Sequence, residues 1–462
     1  MQGGTTASGG VEQAPALPGA QAISSMDRVY TADQSSNTIS VIDPSAGGGA
    51  GEVLGTISLG STRLEKTLGP VDQEEVNVHG LGFSRDGRLL NAVDITSNAA
   101  QVIDAATNEV TRTAYVGRSP HEGFISPDGK TLWTAIRGED YVAVTDVKTG
   151  ELADKIKTAK GPSKVVFSPD GKLAYVNHFF ANELSVMDVA SRKVTNTVEI
   201  PKEAGTSADE AISPDGAELW LGHPASGKTT VVDTKNLKVE TVLDTGPRTN
   251  HPNFVSTDEG EFAYVTVGGS NQTLVYRRSE DAAPEQVAQI KNSGAAPHGI
   301  WPSPDSTRVY VALQKSDAVD VIDTATNKVI NTLRIGQDPQ ALVYVAGAVP
   351  EGDGRQNLTE QGLNKRVENY MIDVSQVGGE AKGMAGVREV ASLDEIDITA
   401  SMLPPNQTFT VHASDGTDSV AILDVTSNEM GSVDEALAFA KFFDNGYDRV
   451  TLAPAIPDTG GA

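Results

Sequence analysis

One turn wording returns six times along this chain and limits what the chain can fold into. "SPDGKTLWTA" at residues 126–135 is followed or preceded by "SPDGKLAYVN", "SPDGAELWLG", "SRDGRLLNAV", "STDEGEFAYVTV" and "SPDSTRVYVAL". The turn aspartates are Asp86, Asp128, Asp170, Asp215, Asp258 and Asp305, at intervals of 42, 42, 45, 43 and 47 residues. In each unit an apolar run precedes the turn and a Tyr/Trp/Val-rich run follows it. A third run ends in Asp ("LSVMD", "TTVVD", "VDVID") and a fourth follows wording such as "KVINTLRIG". Four short strands per unit, separated by turn residues, describe a propeller blade.

Six full units begin near His79, His121, Ser163, Ala208, His251 and His298. A seventh is divided between the chain ends. "DRVYTADQSSNTISVIDP" and "LGTISLG" supply its later strands, and "PQALVYVAG" at 339–347 supplies a first strand with no blade after it. The reading is an all-β chain: a seven-bladed β-propeller over residues 25–349 with a split closing blade, preceded by a flexible segment 1–24. Joining the ends in one blade leaves no free sheet edge. Residues 350–383 read as a connector with one strand, 384–456 as a small β-rich domain, and 457–462 as a tail. Within the small domain, "SVDEALAFAKFFDNG" pairs Ser432 with Glu435 before an apolar spacing and an Asn-Gly stop, which predicts a short helix. That domain's motifs name no chemistry, and docking or packing is its expected role.

The units resemble the YVTN β-propeller repeat family, in "AYVNHFFANELSVMDVASRKVTNTVEIP" and "VYVALQKSDAVDVIDTATNKVINTLRIG" above all. The resemblance implies the propeller fold and an exported, surface-layer-like or periplasmic setting. It implies no single activity, since one fold serves many functions.

Composition narrows the functions. A net charge of −26 repels phosphate backbones, so nucleic acid is not an expected partner. The absence of cysteine removes disulfides, thiolate metal sites and cysteine nucleophiles. No apolar run reaches the roughly 18–20 residues that span a bilayer, so no transmembrane segment is expected. The opening "MQGGTTASGGVEQAPALPGAQ" reads as the segment that follows a removed export signal, placing the protein in the periplasm, at the cell surface or outside the cell. Phosphate loops, G-x-S-x-G and H-E-x-x-H are not found, which disfavours nucleotide, α/β-hydrolase and zincin chemistry.

The seven histidines then stand out. Seven residues before the turn aspartates lie His79, His121, Ser163, Ala208, His251 and His298, and Gln340 takes that place in the split blade. Ten residues before the aspartates that end the third strands lie Asp33, Asp94, His178 and His223. In a propeller the first strands line the central channel, and both sets fall at one mouth. Only His412 lies elsewhere. Imidazoles converging from several blades, without cysteine, suit copper first and zinc second. His79, His121, His251 and His298 are the leading ligand candidates, with His178 and His223 next. Asp33, Asp94, Glu122, Asp209 and Glu210 are supplementary carboxylates, and Arg118, Arg137, Lys164 and Arg248 are candidates for holding an anion. A single histidine at this position would ordinarily just bind a backbone carbonyl. The insertion at 62–76 enters the same mouth and reads either as a cover or as a tolerated loop.

Four functions fit this pattern. The first two are a metal carrier or chaperone, and a metalloenzyme similar to the copper enzymes built on seven-bladed propellers, nitrous oxide reductase and thiocyanate dehydrogenase. The third is a propeller lactonase or lyase in which His121, Glu122 and Arg118 serve as base and anion clamp. The fourth is a scaffold without metal whose rim or C-terminal domain binds a protein.

Overall fold

The computed structural model describes residues 21–59, 77–279, 282–360, 366–390 and 393–455. The insertion at 62–76 therefore lies outside the described residues. The chain divides into two compact units, residues 1–362 and 363–462.

The first unit is a seven-bladed propeller. Six blades each hold four consecutive strands in order, beginning with Val78–Phe83, Pro120–Ile125, Pro162–Phe167, Asp209–Ile212, Thr249–Thr257 and Pro297–Pro302. The closing sheet places Pro339–Val345 beside Arg28–Asp33, followed by Thr38–Asp43 and Glu52–Ser58. We number this split blade 1 and the others 2 to 7 in chain order. Tyr344 Oη donates to the Asp27 carboxylate at 2.7 Å, and the Gly347 N–H donates to the same group at 2.8 Å.

The repeated turn wording is explained by its hydrogen bonds. Ser126 Oγ donates to Asp128 at 2.7 Å, the Lys130 N–H donates to the same carboxylate oxygen at 3.1 Å, and the Thr131 N–H donates back to Ser126 Oγ at 3.0 Å. The same arrangement recurs at Ser84/Asp86, Ser168/Asp170, Ser213/Asp215 and Ser303/Asp305. The aspartates that end third strands cap the next turn: Asp188 accepts from the Ser191 N–H at 2.7 Å and Asp323 from the Thr326 N–H at 2.9 Å. Both aspartate classes close turns.

The inner strands are buried along their length. Phe83, Phe124 and Trp301, from blades 2, 3 and 7, meet with ring centroids 5.5–6.2 Å apart. They fill the axis below the start of the inner strands.

The second unit holds two sheets. Val367–Met371, Lys382–Val390, Leu393–Ser401 and Val433–Ala440 form one, and Ser419–Thr426, Thr408–Ser414 and Arg449–Pro454 the other. The helix expected from Ser432 and Glu435 is not formed: Val433–Ala440 is a strand against Leu393–Ser401. Ala436, Ala438 and Ala440 pair with Ile398, Ile396 and Asp394, while Leu437 and Phe439 point outward and are exposed. A lone two-turn helix gains little by itself. The strand instead gives backbone partners to a sheet that would otherwise end at Leu393–Ser401, and that tertiary pairing overrides local helix preference. No helix among the described residues is long and apolar enough to cross a membrane.

Candidate functional site

In three blades the residue at the start of the inner strand has an ordinary task, which is to tie its blade to the next. His121 donates from Nδ1 to the Ser163 carbonyl at 2.9 Å, and His298 from Nδ1 to the Gln340 carbonyl at 3.1 Å. Where the repeat has serine, Ser163 Oγ donates to the Ala208 carbonyl at 2.6 Å. A carbonyl only accepts, so Nδ1 carries the proton in His121 and His298, and Nε2 carries the lone pair in the neutral ring. His79 Nδ1 pairs with Gln34 Oε1 at 2.7 Å, and His251 Nδ1 with Asp209 at 3.2 Å.

These bonds bring four imidazoles together at the head of the plugged channel. Ring centroids are 4.1 Å apart for His79 and His121, 4.5 Å for His251 and His298, and 6.3 Å for His79 and His298. The rings are tilted or edge-on, not stacked. Gly80 permits the closest approach. A Cβ there would stand 2.2 Å from the His121 carbonyl oxygen, so only glycine lets blade 2 lie this near blade 3. Burial lowers the pKa of His79, His121 and His251 well below 6.5, and that of His298 to about 4. The Arg137 charge pushes His79 and His121 the same way. All four are neutral at pH 7.

The next residue of the repeat forms an ionic layer. Glu122, Lys164 and Asp209 occupy one position in blades 3, 4 and 5, and all are buried. Lys164 Nζ lies 3.2 Å from Glu122 Oε2 and 2.9 Å from Asp209 Oδ2. Burial works against the ammonium, but the two carboxylates outweigh it and raise the pKa of Lys164. Burial pushes the Asp209 carboxyl up, and the Lys164 ammonium beside it pulls it down. Glu122 Oε1 is buried and has no hydrogen-bond partner among the described residues. Arg137 donates to Ser163 Oγ at 2.5 Å and lies 4.4 Å from the centre of the Phe179 ring. Burial lowers its pKa to about 9. One level down, Glu210, Lys164 and Asn253 border a cavity of about 10 Å³, room for roughly one water. Burial holds the Glu210 carboxyl well above its usual range.

Other residues singled out in the sequence lie apart from this cluster. His178 Nε2 pairs with Ser185 Oγ at 2.9 Å and His223 Nε2 with Thr230 Oγ1 at 2.8 Å, each seven residues on in its own blade. Asp33 with Ser40 and Asp94 with Gln101 do the same at 2.7 and 2.8 Å. This set fastens the end of a second strand to its third strand. Burial raises Asp33 to about 7 and Asp94 to about 8. Arg118 is exposed and pairs with Glu139 at 3.4 Å. Arg248 lies near enough to His298 for its charge to lower that pKa. His412 lies in the second unit, in a strand between Ala421 and Thr451. Gln34, the partner of His79, was not legible in the sequence, because the two lie 45 residues apart in different blades.

Comparison with known proteins agrees with this architecture. Residues 2–234 and 95–333 match the family described as Lactonase, 7-bladed beta-propeller. The chain belongs to the seven-bladed propeller lactonase family. Protein NirF of Pseudomonas aeruginosa is 25% identical over 184 residues, 37% of this chain and 46% of that protein. The chain thus spans under half of that relative's length. Among solved structures, the periplasmic gluconolactonase PpgL of Pseudomonas aeruginosa superposes with a TM-score of 0.55 at 20% identity, over 69% of this chain and 99% of that one. Kuenenia stuttgartiensis hydrazine synthase gives 0.52 at 18% identity, over 60% and 92%. At these identities the likeness is one of fold. The family is lactonase-like and seven-bladed, which is coarser than the YVTN type read from the repeats.

Proposed function

We propose that the protein is a lactonase-type hydrolase whose reaction takes place at the head of the propeller channel, over His79, His121, His251 and His298. The observation that carries this reading is the set of neutral imidazoles, each with Nδ1 engaged and Nε2 left for a ligand, in a chain of the lactonase family. A neutral His121 Nε2 can take a proton from water as the water oxygen bonds to a lactone carbonyl carbon. The Arg137 guanidinium stands beside the cluster and would hold the oxyanion that forms. Collapse breaks the ring C–O bond, and the imidazolium returns its proton to the departing alkoxide. The product is an open-chain hydroxy acid. The YVTN-like blades and export to the periplasm belong to the same proposal. Export is supported by the periplasmic setting that PpgL's name records.

The test is a pH-stat assay of the purified chain against five- and six-membered sugar lactones. Turnover above the uncatalysed rate, reduced about 10²- to 10⁴-fold in a folded His121→Ala variant, is the expected result. Uncatalysed rates for every lactone, or turnover untouched by that substitution, would overturn the proposal.

A further inference from the structure

Two groups of buried side chains among the described residues bring three ligating atoms within 4.8 Å of one another: His79/His121/Glu122 and Glu122/Asp209/His251. They share Glu122, but their states differ. The second group already has its cation, because Lys164 Nζ sits 3.2 Å from Glu122 and 2.9 Å from Asp209. In the first group only Glu122 Oε2 is so paired, and no cation bonds its two imidazoles. Glu122 Oε1, the oxygen not given to Lys164, is buried without a hydrogen-bond partner. His79 and His121 spend Nδ1 on Gln34 and the Ser163 carbonyl. What remains is two ring-nitrogen lone pairs and one buried carboxylate oxygen, all acceptors. Acceptors with no donor among them call for a cation.

We infer that His79, His121 and Glu122 form a binding site for a divalent transition metal, copper(II) or zinc(II). Three observations support this beyond proximity. The Nδ1–H bonds to a side-chain amide and to a backbone carbonyl are the outer hydrogen bonds that fix the tautomer and aim of a metal-ligating imidazole. Two imidazoles on one ion can have centroids up to about 6.5 Å apart, given about 2.1 Å from metal to nitrogen and about 1.2 Å from nitrogen to ring centre on each side. The 4.1 Å separation of His79 from His121 falls within that limit. Nitrogen donors with one carboxylate suit copper and zinc better than calcium or magnesium, which favour all-oxygen sites. Arg137 opposes the added charge, and Glu122 offsets it.

This inference does not rest on the lactonase reading. The two uses of the His121 Nε2 lone pair exclude each other, since a nitrogen bound to metal takes no proton from water. The test needs no substrate. The tag-free protein is stripped with chelator, loaded separately with Cu(II) and Zn(II), desalted and analysed for metal. The expected result is close to one metal per chain, with nitrogen hyperfine structure in the Cu(II) spin-resonance spectrum. His79→Ala/His121→Ala should lose the metal and His178→Ala should keep it. Should the double variant fail to fold, His79→Gln alone is read the same way, as a fall of at least tenfold in affinity. Failure of the wild type to hold either metal, or equal retention in the folded site variants, would overturn the inference.

Discussion

His121 and Ser163 lie 42 residues apart in the chain, and the Nδ1 of the first donates to the backbone carbonyl of the second at 2.9 Å. His298 and Gln340, also 42 apart, repeat the contact at 3.1 Å. Here a fold contact and a candidate site are the same bond. It joins adjacent blades, and it fixes which ring nitrogen faces the channel. His121→Phe would keep an aromatic ring but lose both the interblade bond and the lone pair. His121→Asn would keep a donor.

The approach of blade 2 to His121 depends on Gly80. A methyl there would meet the His121 carbonyl at 2.2 Å. Gly80→Ala should force blades 2 and 3 apart and cost on the order of 1–3 kcal/mol or more. Urea unfolding measures the cost, and metal retention should fall with it. A variant as stable as the parent would mean that the blades tolerate a wider spacing.

Lys164 is the single ammonium between Glu122 and Asp209. Lys164→Met should destabilise the propeller by about 3–5 kcal/mol, because two buried carboxyl groups lose their counter-charge. Adding Glu122→Gln and Asp209→Asn should recover much of the loss. Thermal denaturation of the single and triple variants separates charge from packing.

Asp94 has its pKa raised to about 8 by burial, with Gln101 its hydrogen-bond partner. A folded-state pKa above the unfolded one stabilises at low pH, and that contribution fades as pH rises from about 4 through 8. Asp94→Asn keeps an acceptor for Gln101 and removes the penalty. It should be on the order of 2 kcal/mol more stable than the parent at pH 8, with the advantage shrinking towards pH 4. An advantage independent of pH would contradict the assignment.

His178 and His223 run the other way. Burial lowers both to about 4, below the ordinary 6.5. The unfolded chain then binds protons that the folded chain refuses. Stability is full above about pH 6.5 and is lost as pH falls towards 4, by up to about 3 kcal/mol for each residue. His178→Gln should flatten this acid limb in a pH series of melting temperatures and leave bound metal unchanged.

Closure of the ring is exposed at one carboxylate. Asp27 accepts from Tyr344 and from the Gly347 N–H. Asp27→Ala strands both donors and should cost about 2–4 kcal/mol. The loss should appear first as faster hydrogen exchange in blade 1. Uniform loosening of all seven blades would point to a closure held elsewhere.

The sequence by itself determined the ring. Its turn aspartates at 42- to 47-residue intervals, five of the six bonded to a serine of their own turn, are local features, and local hydrogen bonds can be read from local wording. The orphan first strand at 339–347 even told where the ring closes. The same period placed His79, His121, His251 and His298 at one mouth. It grouped His178 and His223 with them, because count along the chain fixes height and blade but not side-chain aim. Only the tertiary structure showed that those two rings pair with Ser185 and Thr230 inside their blades. It alone showed Glu122, Lys164 and Asp209 meeting as one ionic layer. In the small domain, Val433–Ala440 has the composition of a helix and becomes a strand. An open edge at Leu393–Ser401 offered backbone partners that no reading of the segment alone could supply.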